Sequence, residues 1–126
     1  MKFSISTGSK EATDTAKSIF EEGGNAFDAA ISAVFTSMVS EFALTGPGGG
    51  GSLMGIRNNG SPILYDFFVD CPKINNQKID FKKIDVDFGD TTQSFYIGKG
   101  SVAIPGTIAG LLDIHKENGN LPINII

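Results

Sequence analysis

The chain has 126 residues, of which 40% are hydrophobic and 19% are charged, and this balance is typical of one globular domain or part of one, not of a disordered segment. A formal net charge of −4 argues against nucleic acid or an anionic membrane surface as partner. Cys71 is the single cysteine, which excludes an intrachain disulfide and a cysteine-based metal site, and we expect no metal and no cofactor. Residues 1–8 lack the apolar core of a signal peptide, and no window approaches the roughly 20 apolar residues that span a bilayer, so a cytoplasmic protein is predicted.

The first residues predict a short strand followed by a helix. Residues 3–6 alternate in polarity, which favours a strand. Ser9 is a suitable N-cap for a helix over about 9–22, in which apolar residues recur at helical spacing. Gly23 and Gly24 can supply the backbone conformation that ends it.

A second helix is predicted to begin at Asn25. The Asn25 side chain can cap the amide of Asp28 while Asp28 reaches back, an acidic variant of the capping box. Residues 26–39 are small or apolar on almost every face, which predicts a helix buried inside a larger protein. We interpret Asp28, the only charge inside this helix, as a cap and not as a catalytic group.

A glycine run, Gly46-Pro47-Gly48-Gly49-Gly50-Gly51-Ser52, follows this helix directly. Glycine loses more backbone entropy on ordering than any other residue, and ordered elements flank the run on both sides. The run therefore predicts a tight turn at which side chains would obstruct something, and we assign Gly48, Gly49, Gly50 and Gly51 to a structural loop. A phosphate site is not expected, because the glycines lead into a strand and no Gly-Lys-Ser/Thr follows.

The rest of the chain predicts β-structure and a third helix. The predicted segments are strands over 52–57 and 62–68 joined by a turn at 58–60, a polar loop-like segment over 73–92, short strands over 95–97 and 102–104, and a helix over about 107–118. His115 is the only histidine, and we interpret it as a partly buried helix residue and not as a general base.

Thr91 and Thr92 form a pair of neighbouring hydroxyls that suggests a possible nucleophile. A threonine nucleophile of the N-terminal type uses its own free α-amine as base, and these residues lie in mid-chain. They are therefore interpreted as loop or strand-start residues. From the residues alone, the chain is an α/β fragment without a complete catalytic constellation.

Four stretches, in order over about residues 10–122, resemble the gamma-glutamyltranspeptidase family. Residues 22–31 resemble its Gly-Gly-Asn-Ala-x-Asp-Ala-Ala segment, 46–52 its glycine loop, 66–72 its Asp-Phe-Arg-Glu-Thr-Ala-Pro segment, and 101–110 its Gly-Val-Pro-Gly-Thr-Val-x-Gly segment. The resemblance implies that residues 1–126 are a single partial domain, the N-terminal part of the large subunit. It also implies an α/β (α+β) fold, the αββα sandwich of the N-terminal nucleophile hydrolases.

The resemblance further implies a mechanism. A precursor cuts itself to expose an N-terminal threonine, which attacks a γ-glutamyl amide, forms an acyl-enzyme and passes the acyl group to water or an amino acid. That threonine lies beyond this chain, so no catalytic residue is expected here. The implied partners are a small-molecule amide or peptide substrate and the C-terminal remainder, or small subunit, of the same precursor. Homo-oligomerisation is left open.

One departure from the family pattern concerns substrate binding. Phe68 is at the position of the family's arginine, which binds the substrate α-carboxylate. Val69 is at the position of the glutamate that follows it. Loss of such a charged contact typically costs about 2–5 kcal/mol. Arg57, the only arginine, could replace it if the fold brings it close; Phe68 could equally be a core-facing strand residue. This departure motivates the alternative function, a non-catalytic binding or scaffolding module with the same fold.

Overall fold

The computed structural model describes residues 2–58, 60–73 and 79–126. It divides into two compact units, the first comprising Met1–Val69 with Pro105–Ile126 and the second Asp70–Ile104. The elements of the first unit are α1 (Lys10–Glu21), α2 (Ala26–Ser40), β1 (Gly51–Ile56), β2 (Pro62–Phe67) and α3 (Thr107–Asn118). Those of the second unit are β3 (Lys82–Asp87), β4 (Thr92–Ile97) and a 3-10 turn (Lys99–Ser101).

Both predicted N-caps of the first two helices are confirmed. The hydroxyl of Ser9 accepts a hydrogen bond from the amide of Ala12 at 3.3 Å. The side chain of Asn25 accepts from the amides of Phe27 and Asp28, and Asp28 accepts from the amide of Asn25 in return. These reciprocal bonds satisfy amides that have no partner within the helix.

The core of the first unit consists of two apolar clusters on the faces of α2. On one side, alanines of α1 and α2 allow the two helices to approach closely; the buried members are Ala12, Ala16, Ile19, Ala29 and Ala33. On the other side, α2 packs on α3 through Ile31, Leu111 and Ile114. Within this chain, burial of α2 is concentrated between Asp28 and Ala33, whereas Val39 near its end is exposed. Burial of the whole helix inside a larger protein stays a prediction.

An antiparallel hairpin covers one side of this second cluster. Its register runs from Gly51 opposite Phe67 to Ile56 opposite Pro62. Alternate residues of β1 and β2 face the helices, as expected for a half-buried strand pair. Both strands agree with the prediction within about one residue. In the connecting turn, Gly60 donates to the carbonyl of Arg57 at 2.9 Å, while Asn59 lies outside the described residues.

The prediction of a loop-like segment over 73–92 was wrong where the structure has β3. This strand pairs antiparallel with β4, Lys82 opposite Ile97 and Asp87 opposite Thr92. Residues 83–87 do alternate between polar and apolar side chains, but only Val86 of β3 is half-buried, and the Lys- and Asp-rich composition of the segment favoured a loop. The predicted short strand over 95–97 lies within β4. Residues 74–78 of that segment lie outside the described residues.

Two other short strands were also predicted incorrectly. Residues 3–6 have no regular secondary structure. Of 102–104, only Ile104 forms an isolated bridge, with Asp70. Such three- or four-residue patterns carry little information without a neighbouring strand to pair with. None of the helices in the described ranges has the length and apolar content that crossing a lipid bilayer requires.

Candidate functional site

The glycine loop lies directly against the backbone at the end of β2. Gly49 donates to the carbonyl of Gly46 at 3.2 Å, which closes a tight turn. A Cβ atom on Gly50 would lie 2.7 Å from the carbonyl carbon of Phe68 and 2.8 Å from its Cα. Real side chains do not approach a backbone this closely, so position 50 accommodates only glycine without a shift of one of the two segments.

The same loop also caps α3. The helix has no side-chain N-cap, and its first amides need another acceptor. The carbonyl of Gly49 accepts hydrogen bonds from the amides of Gly106 and Thr107 at 3.1 and 3.2 Å. The glycine loop therefore fixes the position at which α3 begins.

Two glycines of the α3 segment bring that helix onto the end of β2. A Cβ on Gly106 would lie 2.8 Å from the carbonyl carbon of Phe67 and 3.0 Å from the carbonyl oxygen of Phe68. A Cβ on Gly110 would overlap the Phe67 side chain. Parts of three of the family-like segments, 46–52, 66–72 and 101–110, thus meet around Phe67, Phe68 and Val69, although the chain separates them by up to about 60 residues.

The backbone of Phe68 is fixed by a hydrogen bond, whereas its ring is largely exposed. Its amide donates to the carboxylate of Asp66 at 3.1 Å. Its side chain is outside both apolar clusters, and the residue is 67% exposed. Phe68 is therefore not a core-facing residue of this chain, and its ring is presented at the point where the three segments meet.

The fold does not bring Arg57 to Phe68. Gly51 pairs with Phe67 at one end of the hairpin, and Arg57 follows β1 at the other end, about 20 Å away by strand rise. The guanidinium of Arg57 instead contacts the carboxylate of Glu117 at 3.4 Å and the side-chain oxygen of Asn118 at 2.6 Å. The hypothesis that Arg57 replaces the missing arginine was wrong.

Asp28 is a fully buried carboxylate that joins α2 to the turn after α3. It accepts hydrogen bonds from the amide of Asn25 at 2.9 Å and from the amide of Asn120 at 3.0 and 3.1 Å. The amide of Leu121 lies 3.4 Å from it. His115 approaches the same carboxylate at 3.4 Å, while its Nε2 also lies 3.0 Å from the carbonyl oxygen of Leu121. Both residues have structural partners, in agreement with their interpretation as a cap and a buried helix residue.

The capping box was visible in the sequence, but the link from Asp28 to Asn120 was not, because it spans 92 positions. An asparagine after a glycine stop, Gly119-Asn120, is the one local signal of a turn there.

Thr91 and Thr92 belong to the β3–β4 turn. The carbonyl of Thr91 accepts from the amide of Phe88 at 2.9 Å, and Thr92 begins β4. They are loop and strand-start residues, as predicted. Across the described part of the chain, no group of three or more His, Cys, Asp or Glu side chains is placed to hold a metal ion.

Solved structures identify the fold. The structure resembles the Bacillus anthracis transpeptidase enzyme CapD, crystal form II, with a TM-score of 0.75 at 24% identity over 98% of this chain and 36% of that chain. It resembles gamma-glutamyltranspeptidase from Helicobacter pylori with a TM-score of 0.72 at 24% identity over 96% of this chain and 35% of that one. These are N-terminal nucleophile hydrolase folds, so the predicted α/β fold class is confirmed for the part that this chain represents.

The sequence comparisons give the family. The model of the gamma-glutamyltranspeptidase family matches residues 12–126. The chain is 32% identical over 108 residues to a glutathione hydrolase proenzyme of Pseudomonas aeruginosa, and 28% identical over 118 residues to glutathione hydrolase 2 of Arabidopsis thaliana. The alignments cover 85% and 94% of this chain but only 18% and 19% of those relatives, so it spans about a fifth of their length. The chain belongs to the gamma-glutamyltranspeptidase family, as its four motifs predicted.

Proposed function

We propose that this chain is the N-terminal part of the large subunit of a gamma-glutamyltransferase or hydrolase that acts on a γ-glutamyl or related amide. Family membership supports the proposal, as do the relatives named glutathione hydrolase. The observation that carries it is the meeting of three family-like segments around Phe67, Phe68 and Val69. Segments distant in sequence that converge on one exposed position are typical of a binding site built on a rigid scaffold.

In this proposal the reacting hydroxyl is an N-terminal threonine outside this chain. The threonine forms an acyl-enzyme with the substrate and passes the acyl group to water or an amino acid. The residues of this chain bind and position the substrate. The glycine loop sets the distance between the end of β2 and the start of α3, and Phe68 presents its ring to the substrate. The required partner is the rest of the same precursor, and the word proenzyme in the names of four relatives supports it. A cytoplasmic location belongs to the proposal and can be measured by cell fractionation.

The complete gene product that contains these residues gives the direct test. We expect it to cut itself into two chains, visible by gel electrophoresis, and to release p-nitroaniline from γ-glutamyl-p-nitroanilide. An uncut product that releases none would refute the enzymatic proposal. It would favour the alternative, a non-catalytic binding or scaffolding module, which the replacement of the expected arginine by Phe68 supports.

Phe68 is proposed to make the site less selective for a free α-carboxylate. Its ring carries no charge, and the one arginine of the chain is engaged about 20 Å away. A lost charge contact of about 2–5 kcal/mol corresponds to a factor of roughly 30 to several thousand in affinity. The substitution Phe68→Arg should therefore lower KM for γ-glutamyl-p-nitroanilide relative to 4-aminobutyryl-p-nitroanilide, which lacks the α-carboxylate. Phe42→Arg, at another exposed phenylalanine, is the control and should leave that ratio unchanged.

A further inference from the structure

A polar cavity lies where three elements of the first unit meet, at the start of α2, the end of β1 and the end of α3. Its volume is about 330 Å³, which is at the small end of the range for ligand pockets, so it fits one small molecule and not a polymer. Its wall includes Asn25, Phe27, Ile56, Arg57, Glu117 and Asn118. We call it the Arg57 cavity.

Arg57 is held in the wall of this cavity by a chain of hydrogen bonds. Its Nε donates to the side-chain oxygen of Asn118 at 2.6 Å. Asn118 is fixed in turn, since its Nδ2 donates to the carbonyl of Ile114 at 2.9 Å and its backbone carbonyl accepts from the side chain of Asn25 at 2.7 Å. A guanidinium has five N–H donors, and within the described ranges the bonds of Arg57 use only Nε and Nη2. Nη1 therefore remains for a ligand, and a guanidinium that is already oriented loses little freedom when it binds a carboxylate.

The carboxylate of Glu117 places a negative charge beside this positive one. Its Oε2 lies 3.4 Å from Nη2 of Arg57 and accepts from the hydroxyl of Tyr65 at 3.3 Å. The charged side chains of Arg57 and Glu117 are 50% and 57% exposed, and a long, exposed ion pair contributes little to stability, so a ligand can replace it at small cost. A simple carboxylate would be repelled by Glu117 and a simple amine by Arg57, whereas a molecule with both groups is attracted by both residues.

Two large apolar side chains complete the wall. Phe27 is half-buried and packs on the core of the first unit, and Ile56 is 66% exposed. A ligand group that covers these side chains removes apolar surface from water, which is favourable only for an apolar group. The cavity therefore combines one positive charge, one negative charge and an apolar surface.

We propose that the Arg57 cavity binds a free α-amino acid with an apolar side chain. The carboxylate of the ligand contacts Arg57, its ammonium contacts Glu117, and its side chain lies against Phe27 and Ile56. The site is separate from the proposed acyl site, because Arg57 follows β1 about 20 Å from Phe68 by strand rise. The inference goes beyond the proposed function and does not depend on it.

Equilibrium dialysis of the complete gene product with radiolabelled L-leucine tests the site without any substitution. We expect saturable binding of leucine. Binding should be at least about 10-fold weaker for 4-methylpentanoate, which lacks the amine, and for 3-methylbutylamine, which lacks the carboxylate. The absence of saturable leucine binding, or an analogue that binds as tightly as leucine, would overturn the proposal.

Variants of the complete gene product locate the bound amino acid. Arg57→Gln should weaken leucine binding about 30-fold or more, the factor that loss of a charge contact produces, and Glu117→Gln should weaken it about 10-fold. Lys10→Gln, at a side chain that is 82% exposed and outside the cavity, is the matched control and should leave the affinity unchanged.

Leucine binding that is unchanged in Arg57→Gln, or that only Phe68→Arg removes, would overturn the proposal by placing the amino acid elsewhere. The dialysis does not require catalysis. An inert product that binds leucine as expected refutes the proposed function alone, whereas an active product that does not bind it refutes the proposed amino-acid site alone.

Discussion

Replacing Gly50 by alanine should damage the glycine loop, whereas the same change two residues earlier should be tolerated. A methyl group on Gly50 would overlap the backbone of Phe68 and Val69, with a distance of 2.7 Å to the carbonyl carbon of Phe68. A backbone cannot rotate away as a flexible side chain can. At Gly48 no atom lies within 4 Å of the corresponding position.

The two substitutions should change the free energy of unfolding in different directions. Ordinary carbon contacts begin near 3.4 Å, so Gly50→Ala must separate the loop from the end of β2 by about 0.7 Å. Overpacking of this kind costs about 1–3 kcal/mol, and because the overlap is with backbone atoms of Phe68 and Val69 we expect a cost near 3 kcal/mol, about 150-fold in the folding equilibrium. Gly48→Ala should be neutral or stabilise by about 0.4–1 kcal/mol, because it reduces the entropy of the unfolded chain.

Urea unfolding of the complete gene product, followed by far-ultraviolet circular dichroism, compares the two variants. The midpoint for Gly50→Ala should fall well below that of the unsubstituted protein, and the midpoint for Gly48→Ala should equal or exceed it. Equal midpoints for both variants would show that the close approach of the loop to β2 is not what position 50 requires.

Two further predictions concern single polar groups. Asp28→Ala removes a fully buried carboxylate that accepts from the backbone amides of Asn25, Asn120 and Leu121, and it should lower the free energy of unfolding by about 3–5 kcal/mol. Asp14→Ala, at an exposed pair with Lys10, should change it by no more than about 0.5 kcal/mol. Similar losses for the two variants in urea unfolding would contradict the structural role of Asp28. The Ser94 hydroxyl, followed by Lys83, lowers the pKa of Asp85, so Ser94→Ala should raise that pKa in a carboxylate NMR titration, and an unchanged value would count against the bond. Because the pKa of Asp85 is lower in the folded than in the unfolded protein, its contribution to stability is fully present above the unfolded pKa and is lost as pH falls through the folded pKa. Ser94→Ala should bring the folded pKa closer to the unfolded one and so reduce this contribution.

The elements with local signals could be predicted from the sequence. Ser9 and Asn25 indicate where α1 and α2 begin, because helix capping depends only on residues within one turn. The β1–β2 hairpin was visible because its strands flank a short Asn- and Gly-containing turn. The four family-like motifs also indicated the family before any fold was known.

The arrangement of the candidate site could not be predicted in this way. The glycine run indicated a tight turn, but its partners, Phe68 and the start of α3, are set by packing between distant segments. The position of Arg57 depended on the register of the hairpin, which places it at the end remote from Phe68. Of the second hairpin, β4 was predicted in part, as a short strand over 95–97, whereas β3 was predicted as a loop because its segment is rich in lysine and aspartate. The pairing of the two strands depends on cross-strand hydrogen bonds, which the order of residues does not show.

The central claim is that these residues shape a substrate site whose reacting hydroxyl lies on another part of the precursor. Brief reaction of the complete gene product with a γ-glutamyl amide, acid quenching and peptide mass spectrometry locate the acylated residue. We expect a γ-glutamyl adduct on a threonine that has become the N-terminus of a second chain. An adduct on any residue of this chain, Thr91 or Thr92 included, would contradict the account.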